Sequence, residues 1–207
     1  MEENKGVSER NERKVCVITG GGSGMGDAGQ IVRTNAVGTI YINTEFAKVM
    51  EDGSCILDVS SMSAYLTPSI VMPRKKYRTA LADPERFGGQ IMGRVRLFPK
   101  SVRAGVAYGI SKDFVIWYAK QSAMLYGEKG IRVVCVSPGN FETPMGQLEE
   151  AEAEKFTKHA AVKRFGKPEE IAFLFAAVLD ERNGYLTGTD IICDGGVIAS
   201  GVSAMSR

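Results

Sequence analysis

Four short apolar runs, each closed by a glycine or serine turn, constrain this chain more than any other feature. They are Lys14–Thr19 (KVCVIT), Cys55–Val59 (CILDV), Ile131–Val136 (IRVVCV) and Asp190–Cys193 (DIIC). Runs of four to eight residues, rich in branched side chains and without polar alternation, suit strands buried on both faces. Helical stretches separate them. Ile31–Met50 places apolar residues at 32, 36, 40, 46, 47 and 50, and Val106–Tyr126 at 106, 110, 114, 117, 118 and 125. Glu149–His159 is a charged helix, and another opens at Pro168 with Glu169 and Glu170 at its positive end and runs to about Leu179. Strands alternating with helices predict an α/β fold, a parallel sheet covered on both faces. Right-handed crossovers then gather the strand C-termini along one edge, where ligands bind.

At 207 residues the chain suits one domain. Hydrophobic content of 44% with 24% charged residues excludes a disordered or fibrous chain. No apolar run reaches the roughly 18 residues that would span a bilayer. Met1–Lys14 is polar and lacks an apolar signal core, so a cytoplasmic protein with no membrane partner is expected. Cys16, Cys55, Cys135 and Cys193 fall one to each strand, with no C-x-x-C pair, and read as buried thiols. The only histidine, His159, has no metal-ligand spacing around it, so no metal site is expected and a Ser-His-Asp arrangement is disfavoured.

Strand, then Thr19-Gly20-Gly21-Gly22-Ser23-Gly24-Met25-Gly26, then helix is a phosphate-binding arrangement. Glycine lets the backbone turn tightly and approach a pyrophosphate, and a helix N-terminus supplies free N–H groups. A flexible turn would look the same, but the position directly after the first strand favours the phosphate reading.

Tyr108 and Lys112 lie four residues apart on a helix, on one face. A nearby ammonium favours the phenolate. Bringing a phenol from about 10 to about 7 takes roughly 4 kcal/mol, which a lysine and a cationic nicotinamide could share. Tyr108 would then be a general acid/base near neutrality. The spacing alone is common, and its meaning comes from the residues around it.

Taken together these residues resemble the short-chain dehydrogenase/reductase family. Thr19–Gly26 matches its T-G-x-x-x-G-x-G, and Tyr108 with Lys112 its Y-x-x-x-K. Ser61, at the end of the Cys55–Val59 strand, matches the catalytic serine, and Asn35 in Thr34-Asn35-Ala36-Val37-Gly38 the helix asparagine. Pro138-Gly139-Asn140-Phe141-Glu142-Thr143 is similar to P-G-x-x-x-T, and Arg164–Glu170, Leu186–Gly188 and Asp194–Gly196 resemble the C-terminal signature. The resemblance implies a Rossmann-type doubly wound sheet. It implies cofactor contacts from Thr19, Gly20, Gly22, Ser23, Gly24, Met25, Gly26, Tyr108, Lys112, Pro138, Gly139, Phe141 and Thr143. It also implies roles. Ser61 would bond the substrate oxygen and Tyr108 would move its proton. Lys112 would hold the ribose, and Asn35 would anchor a relay water. The cofactor would be NAD or NADP. The glycine loop carries no basic residue for an extra phosphate, which leans the choice to NAD.

The pattern departs from the family in two places. Gly26 runs through Asp27–Gln30 directly into the Asn35 helix, where the family interposes three strands and their helices. The acid expected about 20 residues past the loop is missing, since Glu45 falls mid-helix. The first half of the sheet is therefore lacking in this sequence. Either the sequence joins segments that lie apart in a longer protein, or the first strand has found a new neighbour; the first is favoured, because every catalytic signature survives.

The second departure is the stretch Ser63–Ala104, read as an inserted basic helical subdomain broken by Pro68, Pro73, Pro84 and Pro99. It carries nine basic residues against two acids, a local charge of +7 in a chain of net +2. In hydroxysteroid dehydrogenase-like and carbonyl reductase-like members such inserts cover the site or alter subunit packing. Beginning beside Ser61 and ending beside Tyr108, this one reads as a lid over a bulky apolar alcohol or ketone with a distant anion, such as a bile acid or other steroid acid. The basic residues could instead form a solvated face. Tyr65, Tyr77, Phe87 and Phe98 are too scattered to stack bases, so no nucleic-acid partner is expected. The apolar girth at Phe114, Trp117 and Tyr118 predicts a homodimer or tetramer. The competing functional reading is a non-catalytic homologue that keeps the helices for binding or assembly.

Overall fold

The computed structural model describes residues 27–142 and 150–202. The Lys14–Thr19 run, the glycine-loop residues Thr19, Gly20, Gly22, Ser23, Gly24, Met25 and Gly26, and Thr143 lie outside the described residues.

Strands β1 (Cys55–Val59), β2 (Arg132–Pro138) and β3 (Asp190–Cys193) form a parallel sheet in the order β1-β2-β3. The register sets Asp58 beside Cys135 and Cys135 beside Asp190, a row across all three strands. Parallel pairing demands crossovers. The first is the long helix between β1 and β2, Arg103–Tyr126. The second contains the helix Pro168–Leu179 between β2 and β3. They cover opposite faces of the sheet. Val115, Ala119 and Ala123 of the first pack on Val133, Cys135 and Ile56, while Val178, Leu174 and Ile171 of the second pack on Val134, Val136 and Leu57. The doubly wound α/β class expected from the sequence is therefore what forms, with three strands among the described residues.

The helices in chain order are α1 (Ala28–Val32), α2 (Thr39–Val49), α3 (Ser63–Leu66), α4 (Pro84–Val95), α5 (Arg103–Tyr126), α6 (Glu150–Thr157) and α7 (Pro168–Leu179). Between α1 and α2 the six residues Arg33–Gly38 form a π-helical turn, so one bulged helix runs from Ala28 to Val49. Asp27 caps its start by accepting from the Gly29 amide at 3.2 Å. Val32, Ala36, Ile40 and Ala47, four of the predicted stripe positions, are buried. The cysteines on described strands differ from one another: Cys135 is buried, whereas Cys55 and Cys193 are half-buried. His159 is exposed just past α6.

The insert packs much of its apolar surface inward. Its helix α4 starts at Asp83-Pro84, where the Asp83 carboxylate accepts from the Arg86 amide at 2.9 Å and proline occupies the tolerated first turn. From there its apolar side chains turn inward. Tyr77, Phe87, Ile91 and Val95 join Val32, Ala36 and Ile40 of the bulged helix and Ile110, Phe114 and Tyr118 of α5 in a single core. The Phe87 and Phe114 rings lie 4.3 Å apart, and Tyr77 meets Phe114 edge-on at 5.3 Å. Each such side chain contributes about 1.5–3 kcal/mol of burial. Leu66 and Met72 are buried too, while Ile70 and Leu97 face outward at 82% and 73% exposure.

Several of the insert's basic residues are structural staples. Arg94 donates to the carbonyls of Ile70 and Val71 at 2.6 and 3.2 Å, and Arg103 to those of Phe98 and Arg96 at 2.8 and 2.9 Å. Arg74 forks onto Asp113 of α5. The aromatic girth of α5, from which an oligomer interface was expected, is thus covered by the chain's own insert.

Candidate active site

The C-terminal ends of β1 and β2 and the first half of α5 converge. The Ser60 amide bonds the Val136 carbonyl at 2.8 Å and the Met62 amide bonds the Pro138 carbonyl at 2.8 Å. Ser61, between them, is therefore held next to Pro138 and Gly139. Its hydroxyl accepts from the Ser63 amide at 3.2 Å and donates to the Ser63 hydroxyl at 3.2 Å, which orients it at the start of α3. From α3, Tyr65 donates to Asp190 at 2.5 Å, and Ser137 donates to both oxygens of the same carboxylate at 2.9 Å. Burial and the Asp190 carboxylate push the Tyr65 phenol well above its ordinary range.

Helix α5 approaches α3 at Gly109. A Cβ there would collide with the Thr67 hydroxyl and lie 3.0 Å from the Thr67 Cβ. Tyr108, the residue before Gly109, is partly buried against the core shared by α5, α4 and the bulged helix. One turn on, Lys112 places its Nζ 5.6 Å from the centre of the Tyr108 ring and donates to the Val59 carbonyl at 2.9 Å. The Ser60 hydroxyl donates to the Lys112 carbonyl at 2.8 Å, so strand and helix are tied twice at this residue. Desolvation pulls the Lys112 ammonium below its ordinary value, opposed by the Asp58 carboxylate.

Asn35 lies inside the π-helical turn. Its Nδ2 donates to the Ser111 hydroxyl at 3.4 Å, and its carbonyl accepts from Thr39 Oγ1 at 2.9 Å. Insertions of this kind widen a helix by one residue and recur at functional sites. Asn35, Ser61, Tyr108 and Lys112 are thus carried on three elements that meet around α5. Gly139 follows β2 and backs onto Asp194, whose Cα would lie 2.6 Å from any Cβ at that position. Phe141 pairs with Gly166 in an isolated parallel bridge.

Sequence reasoning missed the π-helical turn, the Arg74–Asp113 fork and a buried carboxylate, Asp58. Asp58 carried a signal: it is an acid in the interior of an apolar strand, where aspartate is depleted. Among the described residues, no group of three His, Cys, Asp or Glu side chains is placed to hold a metal ion. No described helix is long and apolar enough to cross a membrane.

A doubly wound parallel sheet with polar side chains gathered at the C-terminal ends of its strands is the architecture of dinucleotide-binding α/β proteins. Residues 91–198, just over half the chain, match the family model described as enoyl-(acyl carrier protein) reductase. The short-chain dehydrogenase/reductase bsc3 of Alternaria brassicicola is 28% identical over 174 residues, 82% of this chain and 62% of the relative. The chain belongs to the short-chain dehydrogenase/reductase family. It spans less than two thirds of that relative's length. Two solved structures share its fold. A 4-hydroxyisoleucine dehydrogenase complexed with NADH is 20% identical, with a TM-score of 0.58 over 81% of this chain and 58% of that one. A short-chain dehydrogenase from Burkholderia cenocepacia in complex with NADP is 21% identical, with a TM-score of 0.58 over 81% and 55%.

Proposed function

We propose that the protein is an oxidoreductase that moves a hydride between a nicotinamide dinucleotide and a secondary alcohol or ketone. The observation that carries this reading is the Lys112 ammonium set against the Tyr108 ring, on a helix tied at that residue to the strand that ends at Ser61. The donor set fits a nicotinamide ribose. An ammonium has three N–H donors, and the bond to Val59 engages one of them. When bound, the dinucleotide supplies or accepts the hydride. The chain's own residues do the rest. Ser61 donates a hydrogen bond to the substrate oxygen and fixes its distance from Tyr108. Tyr108 gives its phenolic proton to that oxygen during reduction and takes it back during oxidation. Lys112, as a cation, stabilises the phenolate left behind. Asn35 holds the far end of the proton path. On the family resemblance, Pro138, Gly139, Phe141 and Thr143 would contact the nicotinamide, and Thr19, Gly20, Gly22, Ser23, Gly24, Met25 and Gly26 would contact the phosphates.

NAD is favoured over NADP because the glycine loop has no basic residue. A steroid or bile-acid substrate is the finer reading of the basic insert. Its apolar support is reduced, because Leu66, Met72 and Ile91 are buried, while Tyr65, Ile70 and Leu97 stay exposed. A homo-oligomer stays part of the proposal, with Phe173 of α7, 78% exposed, as an apolar contact for a second copy. The test is turnover of NADH and NADPH by the purified chain against a panel of cyclic ketones, with sedimentation at micromolar concentration. Binding of neither nucleotide, with no turnover, would favour the assembly-protein alternative.

A further inference from the structure

Asp58 sits inside β1 at 6% exposure. Its two carboxylate oxygens accept from the single Nδ2 of Asn43 on α2, at 3.0 and 2.9 Å. A carboxylate offers about four acceptor positions, and one neutral amide does not replace the water it has lost. The next two residues of the strand grip Lys112: the Val59 carbonyl takes its ammonium and the Ser60 hydroxyl bonds its backbone. Asn43 from α2 bonds Asp58, Cys135 of β2 is its cross-strand neighbour with Asp190 of β3 beyond in the same row, and Lys112 of α5, bonded to the carbonyl of the next residue Val59, acts on it through its charge. Burial and the Asp190 carboxylate hold the Cys135 thiol neutral, far above its ordinary range. Lys112 is the cation among these groups.

We infer that Asp58 is a positioning residue for Lys112, a buried counter-charge clamped by Asn43 that keeps the Lys112 side chain an ammonium ion against the ring of Tyr108. The inference rests on the proposed role of Lys112 and deepens it. Two opposing effects act on that ammonium: desolvation strips its proton, and a carboxylate near it restores the proton's hold. Asp58 itself is pushed up to about 7 by burial, with Asn43 and Lys112 pulling it back. The counter-charge therefore develops as pH rises through neutrality, and it acts against the desolvation that lowers the Lys112 ammonium.

The test is a carbon-13 NMR titration of the Lys112 side chain in the wild-type chain and in Asp58→Asn, with Lys112→Arg to assign the signal. The amide introduced by Asp58→Asn keeps the size of the side chain and one of the two contacts, since its oxygen still accepts from Asn43 Nδ2. Lys112 is expected to titrate lower in Asp58→Asn by about half a pH unit or more. Coupling is reciprocal, so the Asp58 carboxyl must titrate higher in Lys112→Met by a similar amount. Where turnover is measured, the alkaline limb of the pH–rate profile should move down with Lys112. Unchanged titrations in both variants overturn the inference, whether or not the chain turns over a nucleotide. A wild-type chain without turnover, with the two titrations still coupled, would count against the proposed function alone.

Discussion

Arg74 and Asp113 lock the insert to helix α5. Arg74 Nε lies 3.1 Å from Asp113 Oδ2 and Nη2 lies 2.6 Å from Oδ1, although 39 residues separate the two along the chain. The pair is lopsided: the Arg74 side chain is 58% exposed and that of Asp113 only 8%. Tyr77 completes the arrangement by donating to Asp113 Oδ2 at 2.8 Å.

Arg74→Ala strands a buried carboxylate with a single phenolic donor, and should lower unfolding free energy by about 1–3 kcal/mol despite the arginine's surface position. Asp113→Asn leaves Arg74 free to hydrate and should be milder. Urea denaturation of both variants checks the order, and a larger loss in Asp113→Asn would contradict it.

Tyr108→Phe should lower turnover by about 10²–10⁴-fold, the usual cost of losing a positioned acid/base. Nucleotide binding should survive, since Lys112 remains. Single-turnover kinetics together with nucleotide titration separate the two effects, and a variant with near-wild-type turnover would remove Tyr108 from the reaction.

Gly109→Ala should destabilise the chain by roughly 1–3 kcal/mol, because the added methyl overlaps the Thr67 side chain at the α3–α5 crossing. Thr67→Ala in the same chain should restore part of the loss. Thermal melts of the single and double variants read the coupling.

Asp58 gives stability a pH dependence of unusual sign. Its carboxyl holds a proton up to about 7 when folded. An ordinary unfolded carboxyl releases it near about 3.9. Between these values the unfolded chain gives up its proton and the folded chain does not, so native stability falls as pH rises from about 4 to about 7. The penalty is absent below that window and constant above it. Asp58→Asn should therefore be more stable than the wild type at pH 8, by at most about 4 kcal/mol, and no more stable at pH 4. Denaturation curves at the two pH values decide it.

The sheet was largely legible in the sequence. Cys55–Val59 and Asp190–Cys193 form strands with the predicted bounds, as does the helix Pro168–Leu179, because an unbroken apolar run or a Pro-Glu-Glu start has few other solutions. The Tyr108–Lys112 pair was legible because both partners sit on one helix face. The insert's direction was not. Prolines mark where a chain breaks, not which way the next segment faces, and Tyr77 and Phe87 meet Phe114 only after the insert's five helical pieces have folded back. The Asn43–Asp58 contact joins a helix to a strand across 15 residues, beyond any local pattern. The π-helical turn around Asn35 inserts a residue that a 3.6-residue stripe does not register.

Helix α5 has a core on either side of it: Val115 and Ala119 face the sheet while Phe114 and Tyr118 face the insert. The insert leaves the chain just after Ser61 and returns just before Tyr108. Peeling it away would bare one flank of α5 and release the segments that carry Ser61 and Tyr108 in the same event. Slow amide exchange should therefore extend from β2 through α5 into α4 as one cooperative unit. Under thermal stress, loss of turnover should coincide with loss of protection in Pro84–Val95, a helix that supplies no reacting group.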